Sequence, residues 1–158
     1  MIPIGDDAGR RHTFPIVMIV LLALNLLVFF YELALSVPQR ENFFLRAGVI
    51  PVELVTGVDR RPLSLVPPWA TIFTSMFIHG DVLHIGSNML FLFIFGDNVE
   101  DRLGHLRFLI FYLLSGVVAA LTQVFIDPGS QLPLVGASGA IAGVLGAYLV
   151  LFPHAQIR

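Results

Sequence analysis

The sequence predicts an all-α membrane protein that crosses the bilayer several times. Of its 158 residues, 56% are hydrophobic and 13% are charged, and the mean hydropathy is +0.85. Soluble domains have roughly 45–50% apolar and about 25% charged residues. Several apolar runs also approach or exceed the roughly 20 residues that are needed to cross about 30 Å of hydrocarbon.

Charge and cysteine content exclude several classes of function. The net charge of −2 provides no excess of basic residues to neutralise phosphates, so we expect no nucleic-acid partner. The chain has no cysteine, which excludes disulfides, thiol catalysis and thiolate metal sites. We expect no metal and no cofactor.

The first predicted span is residues 14–37, preceded by a tail of residues 1–13. A cleaved signal peptide is the alternative, because Ala34-Leu35-Ser36 resembles a cleavage site. The apolar run is longer than the 7–15 residues of a signal peptide, and further apolar runs follow it. We therefore expect a retained helix that opens a membrane domain over residues 14–158.

A long connector, residues 38–81, separates this span from the next. A loop of this length is uncommon unless it has a structure or function of its own. It contains apolar patches, and Trp69 is typical of a membrane interface. We expect it to fold on the membrane surface.

Three further spans are predicted at residues 82–96, 106–126 and 132–152. Asp81 can cap the first of these helices. Short polar turns are expected at residues 97–102 and 127–130.

Arginine distribution favours a cytoplasmic N-terminus. That orientation places five of the nine arginines inside and the four of the connector outside. The inside set is Arg10, Arg11, Arg102, Arg107 and Arg158. A bacterial cytoplasmic membrane is the simplest expected location.

Polar residues within the spans form two candidate clusters, because such residues are costly in lipid and often functional. His84 and Asn88 are four residues apart and share a helix face. Ser138 lies between Gly136 and Gly139. If both helices enter from the same side, Asn88 and Ser138 each lie six residues, or roughly 9 Å, below a helix start. A serine near an amide and an imidazole resembles a nucleophile beside oxyanion donors.

Structural alternatives remain for each cluster. Gly136, Gly139 and Gly143 belong to a stripe of small residues that often mediates helix packing in membranes. His84 and Asn88 could equally hydrogen-bond between helices. A serine nucleophile also needs a base, and from chemistry alone His84 is the best candidate. A metal carrier using His79, Asp81 and His84 is a further alternative, although this spacing suits two ligands on one helix face poorly.

The chain resembles the rhomboid family of intramembrane serine proteases from about Pro68 to Arg158. The resemblance rests on the order and spacing of several short motifs. They are Trp69-Ala70-Thr71 with Phe73-Thr74, Met76 to Gly80, His84 with Asn88, Phe95-Gly96, Val99-Glu100 with Arg102 and Gly104, and Gly136 to Ala140 with Gly143 and Gly146.

The resemblance implies a helical bundle with four of six expected transmembrane helices present. It implies that Ser138 attacks a peptide carbonyl of a transmembrane protein substrate. His84 and Asn88 then stabilise the oxyanion, together with the backbone N–H of Ser138 and the Gly136 segment, so His84 is not the base. Glu100 and Arg102 brace the connector or the adjoining turn, and His79, Gly104, Gly139 and Gly143 are structural.

One feature of the family pattern is missing from this chain. The family's base is a histidine in an Ala-His-x-x-Gly pattern on a sixth helix, and residues 1–158 contain no such segment. We therefore expect a truncated rhomboid core that is inactive by itself. A catalytically silent relative that binds transmembrane clients is the alternative.

Overall fold

The computed structural model describes residues 12–58 and 66–155, which contain only helices, turns and loops apart from one isolated β-bridge. The predicted all-α membrane fold is confirmed. Most of the predicted tail 1–13, together with Arg60, Arg61 and Arg158, lies outside the described residues. The helices are α1 (Ile16–Ala34), α2 (Val37–Ala47), α3 (Pro51–Thr56), α4 (Thr71–Thr74), α5 (Val82–Leu103), α6 (His105–Ile126) and α7 (Ser138–Leu151), with 3-10 turns at Pro68–Ala70 and Ser75–Phe77.

Three of the described helices, α1, α5 and α6, are long and apolar enough to cross a membrane. The fourth predicted span corresponds to α7, which has 14 residues. At about 1.5 Å per residue, this helix is roughly 21 Å long, shorter than the hydrocarbon layer. The main core lies where α1, α6 and α7 pack around α5, and its fully buried residues include Leu92, Phe95, Phe108 and Tyr112.

The connector folds into short helices, because local caps start them and turn residues stop them. Ser36 and Gln39 form a capping box at the start of α2. Pro51 begins α3, and Gly57 ends it with a left-handed φ of 67°. Val49 pairs with Leu134 by two backbone hydrogen bonds of 3.0 and 2.8 Å. These bonds attach the connector to the loop that precedes α7.

Helix α5 continues to Leu103, so the predicted polar turn at residues 97–102 is wrong. Asp81 caps its N-terminus and accepts a hydrogen bond of 2.8 Å from His84 N. Three polar residues near its C-terminus, Asp97, Asn98 and Glu100, are buried and have partners inside the protein. Glu100, for example, accepts hydrogen bonds from the backbone of α1. The helix ends instead at Gly104, where φ is +77°.

Helix α7 begins at Ser138, so the predicted helical start at residue 132 is also wrong. Residues 132–137 are apolar, but their backbone groups bind the connector. Gly136 N donates to Ser75 O over 2.9 Å, beside the Val49–Leu134 bridge. Gly136 has φ of +122°, which a right-handed helix does not allow.

Close packing of small residues joins α6 to α7. A methyl group at Gly139 would lie 2.4 Å from Ala119 Cβ, and one at Gly143 would lie 2.2 Å from Ser115 Oγ. The two helix backbones approach closely because these positions lack a side chain. The glycine stripe of α7 therefore serves packing at these two positions, one residue and five residues beyond Ser138.

Candidate active site

Ser138 occupies the first position of α7, and its side chain is exposed. The first N–H groups of a helix have no acceptor within the helix. The helix dipole also places partial positive charge at this end. A negative oxygen that forms near the Ser138 hydroxyl therefore meets unpaired N–H groups and a favourable field.

The side chains of His84 and Ser138 both lie next to Gly136, which has no side chain of its own. A methyl group on that carbon would lie 2.7 Å from His84 Nε2 and 3.7 Å from Ser138 Oγ. The imidazole occupies the space that any other residue at this position would fill with its Cβ. Glycine is needed here for a second reason, since its φ of +122° lies in a region that other residues rarely adopt.

Asn88 lies one turn beyond His84 on α5 and is 6% exposed. Its Nδ2 has no hydrogen-bond partner among the described residues. Buried polar groups are nearly always paired, so an unpaired donor needs an explanation. A ligand or reaction intermediate that supplies an oxygen to this amide would satisfy it.

The depth expected from the sequence holds for only part of the cluster. Ser138 is not six residues below a helix start, because α7 starts at that residue. His84 is similarly close to the start of α5 at Val82, whereas Asn88 lies deeper. The structure therefore brings Ser138 and His84 together near the ends of two helices. Ser138 and Asn88, for which equal depth is predicted, therefore lie at different distances from the starts of their helices.

His79 packs directly behind His84. Their ring centroids are 5.1 Å apart in an edge-to-face arrangement. His79 is fully buried in the connector just before α5. Burial, and secondarily the charge of His84, lowers the pKa of His79 from 6.5 to about 4. His79 is therefore a neutral ring at physiological pH, and it supports one side of the His84 imidazole.

Glu32 makes a contact beside the site that the sequence does not predict. This residue of α1 is 1% exposed, and its carboxylate accepts the backbone N–H of His79 at 3.2 and 3.4 Å. The sequence contained a signal for it, because an acidic residue within an apolar span is a functional candidate by default. Its partner could not be identified from the sequence, since 47 positions separate the two residues.

Glu100 and Arg102 lie at the opposite end of α5 from His84. Glu100 accepts hydrogen bonds from Val17 N at 2.9 Å and Met18 N at 2.7 Å, and it also pairs with His105. Arg102 lies over the ring of Phe152, 5.2 Å from its centroid. Glu100 therefore joins the end of α5 to the first turn of α1 and to the start of α6 after Gly104. It does not contact the connector through these bonds.

The metal-carrier alternative has no structural support. In the described part of the chain, no group of three His, Cys, Asp or Glu side chains is arranged to hold a metal ion. Asp81 is used as the cap of α5, and His79 packs its ring on His84.

Comparison with known proteins gives several significant relatives. "RHOMBOID-like protein 5" of Arabidopsis thaliana is 31% identical over 112 residues, covering 71% of this chain and 36% of the relative. "Rhomboid protein 1, mitochondrial" of Saccharomyces cerevisiae is 38% identical over 91 residues, covering 55% and 26%. "Rhomboid protease AarA" of Providencia stuartii is 29% identical over 145 residues, covering 82% and 48%. The chain thus spans less than half the length of each of these relatives.

No solved structure matches the chain significantly. The family model described as "Rhomboid domain" matches residues 67–158, which is more than half of the chain and includes His84, Gly136 and Ser138. With its apolar helices, this match identifies an integral membrane protein, and the chain belongs to the rhomboid family.

Proposed function

We propose that this chain carries the nucleophile and oxyanion groups of an intramembrane serine endopeptidase that cleaves transmembrane protein substrates. The observation that carries the proposal is that His84 Nε2 and Ser138 Oγ both lie within 4 Å of the position that a methyl group on Gly136 would take, at the N-terminus of α7. Membership of a family that includes proteins named rhomboid proteases supports the same activity.

In the proposed reaction, Ser138 Oγ attacks the carbonyl carbon of a substrate peptide bond. The carbonyl oxygen becomes an oxyanion, and its donors are the backbone N–H of Ser138, the Asn88 amide and a protonated ring nitrogen of His84. Each such donor typically contributes about 10²–10³ in rate. Cleavage of the C–N bond leaves an acyl group on Ser138 Oγ, which water then hydrolyses.

The proposal also requires a base to take the proton of Ser138 and return it to the leaving amine. The resemblance implies a histidine of a sixth helix, a segment outside residues 1–158. Removing one member of such a catalytic group costs orders of magnitude in rate. Activity measurements therefore belong on the protein expressed from its complete gene.

The expected substrate is a transmembrane helix that is loosened near the surface at which α5 and α7 begin. The carbonyls of an intact helix are hydrogen-bonded within it, so local unwinding must precede attack. Helix-breaking residues near the cleaved bond favour that unwinding.

Labelling with a fluorophosphonate probe tests the assignment. Wild-type protein is expected to label, and Ser138→Ala is expected to abolish both labelling and cleavage of a model transmembrane substrate. Ser87→Ala is the matched control, because Ser87 is an exposed serine at the same end of the bundle. Labelling that survives in Ser138→Ala would overturn the assignment. A folded wild-type protein that does not label would support the silent, client-binding alternative.

We further propose a cytoplasmic N-terminus in a bacterial cytoplasmic membrane. The relatives also include mitochondrial and chloroplast proteins, so the location needs its own test. The native chain has no cysteine, which permits single-cysteine labelling in intact cells. An impermeant maleimide is expected to label Val58→Cys and not His12→Cys, and the opposite pattern would reverse the orientation.

A further inference from the structure

A three-sided apolar groove lies between α1, α2 and the segment 74–78. Its volume is about 440 Å³, within the range of small-molecule sites. One wall is α1, a second is α2, and the third is the end of α4 with the following 3-10 turn. The residues that line these walls include Leu24, Val28, Phe43, Ala47, Phe77 and Ile78.

The depth of the groove matches one leaflet of a bilayer. Helix α1 ends at Ala34, close to the surface on which α2 begins. Leu24 lies ten residues earlier on α1, which corresponds to roughly 15 Å along the helix. Half of the hydrocarbon thickness is also about 15 Å. The groove therefore extends from the surface helix α2 toward the middle of the membrane.

One cation, Arg46, is among the residues that line this groove, and because the lining surface is almost entirely apolar, Arg46 contributes mainly its hydrocarbon stem to it. Arg46 lies in the last turn of α2, and within residues 12–58 and 66–155 it makes no ion pair or hydrogen bond. Arg46 therefore has its guanidinium available for an anion, and guanidinium binds phosphate with paired N–H donors.

We propose that this groove binds an anionic phospholipid. One acyl chain lies along Leu24 and Val28, and the phosphate binds Arg46. A peptide is a poor occupant, because its backbone N–H and C=O groups would find almost no partners against apolar walls. An acyl chain has no such groups. The lipid would join α1 to α2 at the start of the connector, which the Val49–Leu134 pair attaches to the loop before Ser138.

The probe for the test is phosphatidylglycerol with a diazirine in one acyl chain. It is crosslinked to the purified chain in detergent micelles, and the modified peptides are identified by mass spectrometry. Crosslinks are expected on the peptides of α1 and α2 that form the groove. Unlabelled phosphatidylglycerol is expected to compete, whereas diacylglycerol and glycerol 3-phosphate compete at least tenfold more weakly.

Two pairs of variants distinguish lipid binding in this groove from general contact between lipid and the protein surface. Arg46→Gln removes the cation, and its control Arg107→Gln removes an exposed arginine of α6 at the other membrane surface. Val28→Trp fills the groove, and its control Val118→Trp adds the same ring to a lipid-facing position that is 64% exposed. The groove crosslinks are expected to fall at least fivefold in Arg46→Gln and Val28→Trp and to persist in both controls.

Three results would overturn the proposal. They are crosslinks spread evenly over all helices, an unchanged yield in a folded Arg46→Gln protein, and competition by glycerol 3-phosphate equal to that by phosphatidylglycerol. The last result would indicate a site for phosphate alone. The readout needs no proteolysis, so its failure is distinct from failure of the proposed enzyme activity.

Discussion

Substitution of Gly136 by alanine tests the candidate site most directly, because two separate effects can be worked out from the structure. The new methyl group would lie 2.7 Å from His84 Nε2 and 2.8 Å from Cε1. Ordinary contacts between non-bonded heavy atoms are about 3.5–4.0 Å, so the imidazole must move by about 1 Å. A misplacement of about 1 Å can cost 10²-fold in rate. The positive φ adds strain of about 1–3 kcal/mol.

The assay is the rate of fluorophosphonate labelling at Ser138, measured beside the thermal unfolding midpoint. Gly136→Ala is expected to label about 100-fold more slowly while remaining folded. Gly57→Ala is the matched control, because Gly57 also has positive φ, at 67°, but its new methyl group would lie within 4 Å of no atom in the part of the chain that the structure describes. This control is expected to lose stability and to keep its labelling rate.

A double variant separates the clash from the strain. If the methyl group acts by displacing His84, then Gly136→Ala should destabilise a His84→Ala protein less than it destabilises the wild type. The difference between the two effects is the coupling energy of the pair. Labelling of Gly136→Ala at the wild-type rate, or strictly additive effects on stability, would refute the placement of His84 over Gly136.

The remaining predictions concern stability and use detergent-solubilised protein. Glu32→Ala is expected to lower the free energy of unfolding by about 1–3 kcal/mol, since it leaves the buried His79 N–H without an acceptor. Glu32→Gln keeps an acceptor oxygen and should lose less stability. Equal losses of stability in the two variants would contradict this role of Glu32. Glu100→Ala is expected to lower it by about 3 kcal/mol, because two N–H groups at the start of α1 lose a charged acceptor, whereas the exposed Glu41→Ala should change it little. The pKa of His79 is about 4 in the folded protein and 6.5 when unperturbed. The unfolded chain therefore binds an additional proton as the pH falls from about 6.5 to 4, and stability should fall over that window by at most roughly 3 kcal/mol. His79→Asn should remove this dependence, and an unchanged pH profile in that variant would refute it.

The sequence predicts the membrane fold well, because insertion of a helix into lipid depends mainly on the composition of that helix. The third span is the clearest case, since residues 106–126 were expected and α6 is His105–Ile126. The bounds of α5 and α7 are predicted less well, because some residues there have partners that are far away in the sequence. Glu100 reads as part of a solvent-exposed turn, but it is buried because the first turn of α1 offers it two N–H donors. No local pattern around residue 100 contains that information.

The start of α7 shows the opposite error, in which an apolar sequence is not helical. Residues 132–135 would be acceptable in a span, yet Leu134 pairs with Val49 and Gly136 N binds Ser75 O. This difference alters the chemistry of the site. A serine six residues inside a helix has its N–H bonded within that helix, and it could not present this group to an oxyanion. At the first position of α7 the same N–H has no intrahelical acceptor. The connector therefore contributes to the candidate site by holding residues 132–137 out of the helix, so that α7 begins at Ser138.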